Sequence, residues 1–261
     1  ARVGLADTLR AAGNHDEARA LYQEVIERLE ATLGRQHAQT EGAVNGMSLC
    51  AFNAGDLATA GALFERLIAS RESRLGRHHP KTIMTLHNLG HLRLKQGDLA
   101  AAESCFQRVH EADHENLGPD HMDTAMSASA LADVRSAQGD HDGAMQLWQQ
   151  AADTMERVLG PDHPHAAQAV ATIGIGLCGA GKTLEALPYL ERSVAMMTAG
   201  TGGAAERAWT KTNLCVALER QGHLERAIEM LKALIADHIE AGDADQAEQS
   251  RVWLSELEAQ I

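Results

Sequence analysis

Three sets of residues in this 261-residue chain have types and spacings that suit chemistry. The string at residues 176–183 fits Gly-x-x-x-x-Gly-Lys-Thr through Gly176, Gly181, Lys182 and Thr183, a pattern whose backbone amides and lysine cradle phosphates. Gly174, Gly176 and Gly179 also fit the Gly-x-Gly-x-x-Gly of dinucleotide sites. Among 14 histidines, His87 with His91 and His110 with His114 stand four residues apart, a spacing that puts two imidazoles on one helix face where they could share a metal ion. Asp133 is available to the first pair as a third ligand. Asp7, Asp133 and Glu219 are candidate acid–base carboxylates.

Each of these chemistries needs a scaffold. Phosphate and dinucleotide loops follow a strand inside a parallel-sheet unit, and although residues 170–177 are apolar enough to pass for a strand locally, no sheet pattern surrounds them. The chain carries a repeat instead. Leu33, Leu75, Leu117 and Leu159 are each followed by a glycine and, three residues after it, by His37, His79, His121 or His163, a period of 42. A second series in the same phase, Gly13, Gly55, Gly97, Gly139 and Gly181, stands five residues before Ala18, Ala60, Ala102, Ala144 and Ala186. Four residues beyond each alanine comes Tyr22, Phe64, Phe106, Trp148 or Leu190. A sixth copy, Gly222, Ala227 and Leu231, falls one position short of the full period, so one residue is lost around 201–207, where Gly202 keeps the glycine and Ala205 replaces the histidine.

This frame reassigns the chemical candidates. Gly174 and Gly181 are equivalent to Gly90 and Gly97, so residues 176–183 read as the end of one helix and the turn into the next, and no nucleotide is expected. The four periodic histidines read as architectural groups at helix starts. That leaves His87 and His91 as polar contact residues, with no metal assigned. Spacing sets no carboxylate pair at a hydrolytic separation, and no nucleophile has a base fixed beside it. The expectation is therefore a protein without enzymatic activity and without a cofactor.

The third copy shows how a unit is built. Pro80, Met84, Leu86, Leu89 and Leu94 predict a helix over 80–96. Gly97 suits the left-handed residue that ends it, Asp98 suits the cap of the next, and a second helix over 99–116 turns Ala102 and Phe106 toward the first. With Leu89, Gly90, Ala102 and Phe106 at its motif positions, this unit resembles the tetratricopeptide repeat family, and the likeness extends over essentially the whole chain. The family's unit has about 34 residues, so the additional eight or so give about one more turn on each helix. Leu-Gly-x-x-His-Pro at 75–80 and 159–164 is similar to the long-unit subclass of kinesin light chains and many bacterial signalling proteins, although Ala38 and Met122 replace the proline.

The resemblance implies an all-α, right-handed superhelical solenoid of antiparallel helix pairs, with the first helix of each pair lining a concave groove. Six pairs are expected over 1–240, at about 1–33, 37–75, 79–117, 121–159, 163–200 and 204–240, followed by a capping helix within 243–261. The family's groove offsets fall on Asn45 and Leu49; Met84, His87, Asn88 and His91; Met126, Ser129 and Asp133; Gln168 and Thr172; and Trp209, Thr212 and Asn213. Asn88 and Asn213 keep the family's asparagine, whose amide pairs with both backbone groups of an extended peptide. The positions of the family's cationic clamp for chaperone tails hold Val3, Asp7, Gly46, Met84 and Asn88, so no such clamp is expected.

Composition fits. The chain is 44% hydrophobic but only 3% aromatic, which suits helices packed through Ala and Leu. A formal charge of -13 disfavours nucleic acid and anionic membranes, leaving a neutral or basic protein or peptide as the expected partner. Cys50, Cys105, Cys178 and Cys215 form no Cys-x-x-Cys pair and read as reduced thiols, and no apolar run reaches the roughly 18 residues of a membrane span, so a cytoplasmic location is expected. The function expected is a scaffold that binds a peptide segment or partner helix in its groove. The alternative is a regulatory or structural array that packs on another domain of a longer parent chain, such as a kinase or NTPase signalling protein, or that self-associates. A first residue, Ala1, that falls inside a helix suggests a piece of a longer protein.

Overall fold

The computed structural model describes residues 2–261, and among them it contains thirteen α-helices and no strand. They are α1 (Arg2–Ala11), α2 (His15–Leu33), α3 (Ala38–Asn53), α4 (Leu57–Leu75), α5 (Pro80–Lys95), α6 (Leu99–Leu117), α7 (Met122–Ala137), α8 (His141–Leu159), α9 (Pro164–Gly179), α10 (Thr183–Ala199), α11 (Ala204–Arg220), α12 (Leu224–Glu240) and α13 (Ala244–Glu258). The fold is an all-α repeat array. Helices α3, α5, α7 and α9 have 16 residues each, and α2, α4, α6 and α8 have 19.

The helix ends explain the period. Gly97 takes φ +76°, a conformation that a side chain would strain, and ends α5, after which the Asp98 carboxylate accepts the Ala101 amide at 3.1 Å and starts α6. A left-handed glycine recurs at every half period from Gly13 to Gly181, because both kinds of turn use the same device. Before α3, α5, α7 and α9 the cap is a histidine: Nδ1 of His37, His79, His121 and His163 accepts the amide two residues on, at 3.1–3.2 Å. Three residues after the first three of these, Thr40, Thr82 and Thr124 donate their hydroxyls to the carbonyls of Gly34, Gly76 and Gly118. The end of one helix is thereby tied to the start of the next.

The joint before the sixth copy is built differently from the others, in keeping with the residue lost there. Gly202 stands half a period after Gly181 but is not left-handed, and α10 stops two residues earlier, at Gly200, with φ −88°. Packing fixes this. A Cβ on Gly200 would meet the Asp162 carbonyl, and one on Gly202 would meet the Met197 sulfur, so both glycines serve close approach rather than a special backbone angle.

The chain divides into two compact units, one ending at Asn116 and the other running from Leu117 to Ile261. In the first, Tyr22, Phe64 and Phe106 are fully buried; Tyr22 shares an apolar cluster with Leu67, and Phe64 shares another with Leu86 and Leu92. In the second, Trp148, Leu190, Leu214 and Leu231 belong to one apolar cluster, with Leu257 of α13 in the same cluster. Small residues let these anchors seat: a Cβ on Gly46 would lie 2.6 Å from the Tyr22 ring, and one on Gly90 2.8 Å from Phe106. The second helices of successive pairs are joined at their surfaces by Arg66 to Glu30 and Arg108 to Glu72 in the first unit and by Arg192 to Glu156 in the second.

Two carboxylates are buried. Glu41 accepts from Ser70 Oγ at 2.7 Å and Arg74 Nη2 at 2.5 Å, beside buried Arg71. Burial alone would raise its pKa, but the bonds from Arg74 and Ser70 and the two arginine charges hold it below the ordinary value. Asp237 is paired with Arg207 at 3.1 Å and Lys211 at 2.6 Å.

Candidate functional site

In the first helix of each pair, two sides pack on neighbours and one side stays open, and the groove residues expected from the repeat register lie on the open side. None of them is buried. In the first unit, α3 presents Asn45 and Leu49, and α5 presents Met84, His87, Asn88 and His91. In the second, α7 carries Met126, Ser129 and Asp133, α9 carries Gln168 and Thr172, and α11 carries Trp209, Thr212 and Asn213, with α9 in contact with both α7 and α11. Met84, Met126 and Trp209 occupy one register position and are 51%, 53% and 42% exposed. Two amides differ in state: Asn213 Nδ2 is tied to the Trp209 carbonyl at 2.8 Å, whereas Asn45 Oδ1 has no hydrogen-bond partner.

The three carboxylates weighed for acid–base work each accept a hydrogen bond from a ring, so they are not merely solvated. Tyr22 Oη donates to Asp7 at 2.5 Å, Trp148 Nε1 to Asp133 at 2.9 Å and Trp253 Nε1 to Glu219 at 3.0 Å. Burial, and then the Asp7 bond, push the Tyr22 phenol up to about 12. Burial also raises the Asp133 carboxyl, against the pull of the indole bond. The first two pairs are equally spaced along the chain, and all six copies follow a rule at that offset. Asp7 and Asp133 stand before Tyr22 and Trp148, which have a proton to donate; Leu49, Ile175 and Val216 stand before Phe64, Leu190 and Leu231, which have none. His91, at the same offset before Phe106, meets that ring edge-on with centroids 5.1 Å apart.

Residues 176–183 run through the last turn of α9, the Gly181 turn and the first residue of α10. Two of the three glycines there have a packing or turn role: a Cβ on Gly176 would strike Trp148, and Gly181 is left-handed at φ +76°, whereas a Cβ on Gly179 would meet open space; just before them, a Cβ on Gly174 would crowd Leu190. Lys182 Nζ lies 4.0 Å from Asp142 Oδ1, and the cavity beside it, about 190 Å³, is lined by Trp148, Leu177 and Glu185 among others. A larger cavity of about 480 Å³ is lined by Val3, Val25, Arg28, Leu29, Gln39 and Gly42.

The thiols of Cys50, Cys105, Cys178 and Cys215 are all free, and no described helix is long and apolar enough to cross a membrane. Sequence reasoning missed the threonine ties at the helix joints and the rule that matches each ring to its partner, although both were present as repeats in phase with the histidines.

A family model described as tetratricopeptide repeat matches residues 41–113, 84–151 and 123–199, and a second of the same description matches 1–39. No curated protein gives a match. Among solved structures, a Podosopora anserina chain described as a kinesin light chain with nearly identical TPR-like repeats superposes with TM-score 0.70 at 21% identity, covering 76% of this chain and 93% of that one. BtubC (BKLC) from P. vanneervenii gives 0.67 at 16%, covering 93% and 92%. The APC/C hetero-tetramer Cut9–Hcn1 gives 0.56 at 15%, covering 95% of this chain and 42% of the other.

Proposed function

We propose, from the premise that this chain belongs to the tetratricopeptide repeat family, that it is a non-enzymatic protein-interaction scaffold whose helix faces bind a peptide segment or a partner helix. The observation that carries this is the register position held by Met84, Met126 and Trp209. A helix array buries large apolar groups wherever its own packing allows, and these three remain open on the side that no helix covers. In the second unit the lining on either side of Met126 and Trp209 is polar but short of cations, with Ser129, Gln168 and Thr172 offering hydrogen bonds and Asp133 a carboxylate; in the first unit Asn88 stands one turn from Met84. That combination suits a neutral or basic segment with one or two apolar side chains. A related fold seen assembled in the Cut9–Hcn1 hetero-tetramer is consistent with protein binding. A surface formed in advance on rigid helices lowers the ordering cost of such binding.

The test is a peptide array probed with purified chain, with hits measured by fluorescence anisotropy. Trp209→Ala should weaken a hit mapped to the second unit at least about fivefold, the effect of losing about 1 kcal/mol, with helicity unchanged. Binding that survives Trp209→Ala combined with Met126→Ala and Gln168→Ala would remove the second unit's open face from the proposal.

A further inference from the structure

His87 and His91 stand one turn apart on α5, and their Nε2 atoms are 3.3 Å from each other. Both rings meet Phe106 edge-on, with centroid separations of 5.6 and 5.1 Å, and Phe106 is fully buried against Gly90. The imidazoles are thus aimed by a fixed aromatic from the neighbouring helix. Spacing alone does not achieve this. His110 and His114 are also four residues apart on a helix, yet their ring centroids are 6.4 Å apart, against 4.5 Å for His87 and His91.

Neutral rings keep a lone pair for coordination, the form that ligates a metal. A nitrogen–metal distance of about 2.0–2.1 Å, combined with the 3.3 Å separation, subtends an angle of about 105–110° at the ion, close to tetrahedral.

We propose that His87 and His91 chelate one borderline transition-metal ion of the zinc, nickel and copper class through their Nε2 atoms. Imidazole favours these ions over magnesium and calcium, which take oxygen ligands. Among the described residues no group of three or more His, Cys, Asp or Glu is arranged to hold a metal. Two coordination positions or more therefore stay open to water or to an incoming donor, and the ion is exchangeable rather than structural. The site lies within α5, on the side where Met84 and Asn88 also stand, and its metal binding is measured with no peptide present.

Calorimetry on tag-free full-length chain with zinc, nickel and copper salts should show one ion per chain above the background of scattered histidines, and magnesium should show none. His87→Gln and His91→Gln should each weaken that binding at least tenfold, because a single imidazole does not chelate, and His114→Gln should leave it unchanged. Side-chain nitrogen NMR of the wild type gives a readout that no variant's folding can disturb: zinc should shift Nε2 of His87 and His91 before any other histidine. Absence of a one-to-one phase, equal affinity in the His91→Gln chain, or first shifts at other histidines would overturn the assignment.

Discussion

Tyr22 and Asp7, or Phe64 and Leu49, are two answers to one local problem, namely what to place beside the tip of a buried ring. A ring with a proton to donate receives a carboxylate at a fixed offset earlier in the chain; a ring or aliphatic group without one receives another apolar group, or the edge of His91. The consequence can be measured by a double-mutant cycle. Asp7→Leu alone leaves the fully buried Tyr22 hydroxyl without its acceptor and should cost about 1–3 kcal/mol in urea unfolding. Adding Tyr22→Phe recreates the Phe64–Leu49 combination of the next copy and should recover most of that loss, giving a coupling of about 1 kcal/mol. Equal stabilities for the single and double variants would show that the rule is a coincidence of sequence.

At the scale of the helix, Glu41 ties the first turn of α3 to the last turns of α4. Its carboxylate faces Ser70, Arg71 and Arg74 from α4, and its folded pKa lies below the ordinary value. A depressed carboxyl pKa stabilises the folded state above the unfolded value of 4.5 and loses that contribution as pH falls through the folded value. Wild type should therefore lose stability below about pH 4.5 more steeply than Glu41→Gln. At pH 7 the variant should be less stable by about 3 kcal/mol, because Arg71 stays buried without its counter-charge. Parallel pH profiles for the two chains would refute this account. Helix ends of this kind were largely legible in advance: Pro80, Gly97, Asp98 and the four capping histidines each carry a local signal that needs no tertiary partner. The roles of Gly176 and Gly200 were not legible, because Trp148 and Asp162, which decide them, come from other helices or loops. Among Gly200, Gly202 and Gly203 the sequence offers three equal places to stop α10, and only the packing of Met197 and Asp162 selects one. The repeated glycines provide a register along the first helix of each pair, and the residues that it picks out are partly or well exposed. The convergence of His87 and His91 was not legible, because it depends on how Phe106 lies.

At the scale of the molecule, α13 packs on α12. Trp253, Leu254 and Leu257 of α13 pack on the second unit's apolar cluster, while Asp245, Glu248 and Glu256 stay in solvent, and we propose that α13 closes that cluster. A chain ending at Gly242 should lose about 3 kcal/mol or more in unfolding, as expected for uncovering Leu257 and its neighbours, and should bind a hydrophobic dye. Unchanged stability and no dye signal would show α13 to be dispensable. The joint at 200–203 carries a separate consequence, for how such a chain changes length. Joints built alike, with a left-handed glycine and a capping histidine, are interchangeable parts, so whole modules can be gained, lost or shuffled there by recombination without redesigning the seam. The last joint has traded that for a fit to its own surroundings. Gly200 and Gly202 are shaped to Asp162 and Met197, and a module copied across this seam would arrive without its matching surface. The array is editable up to Gly160 and committed beyond it.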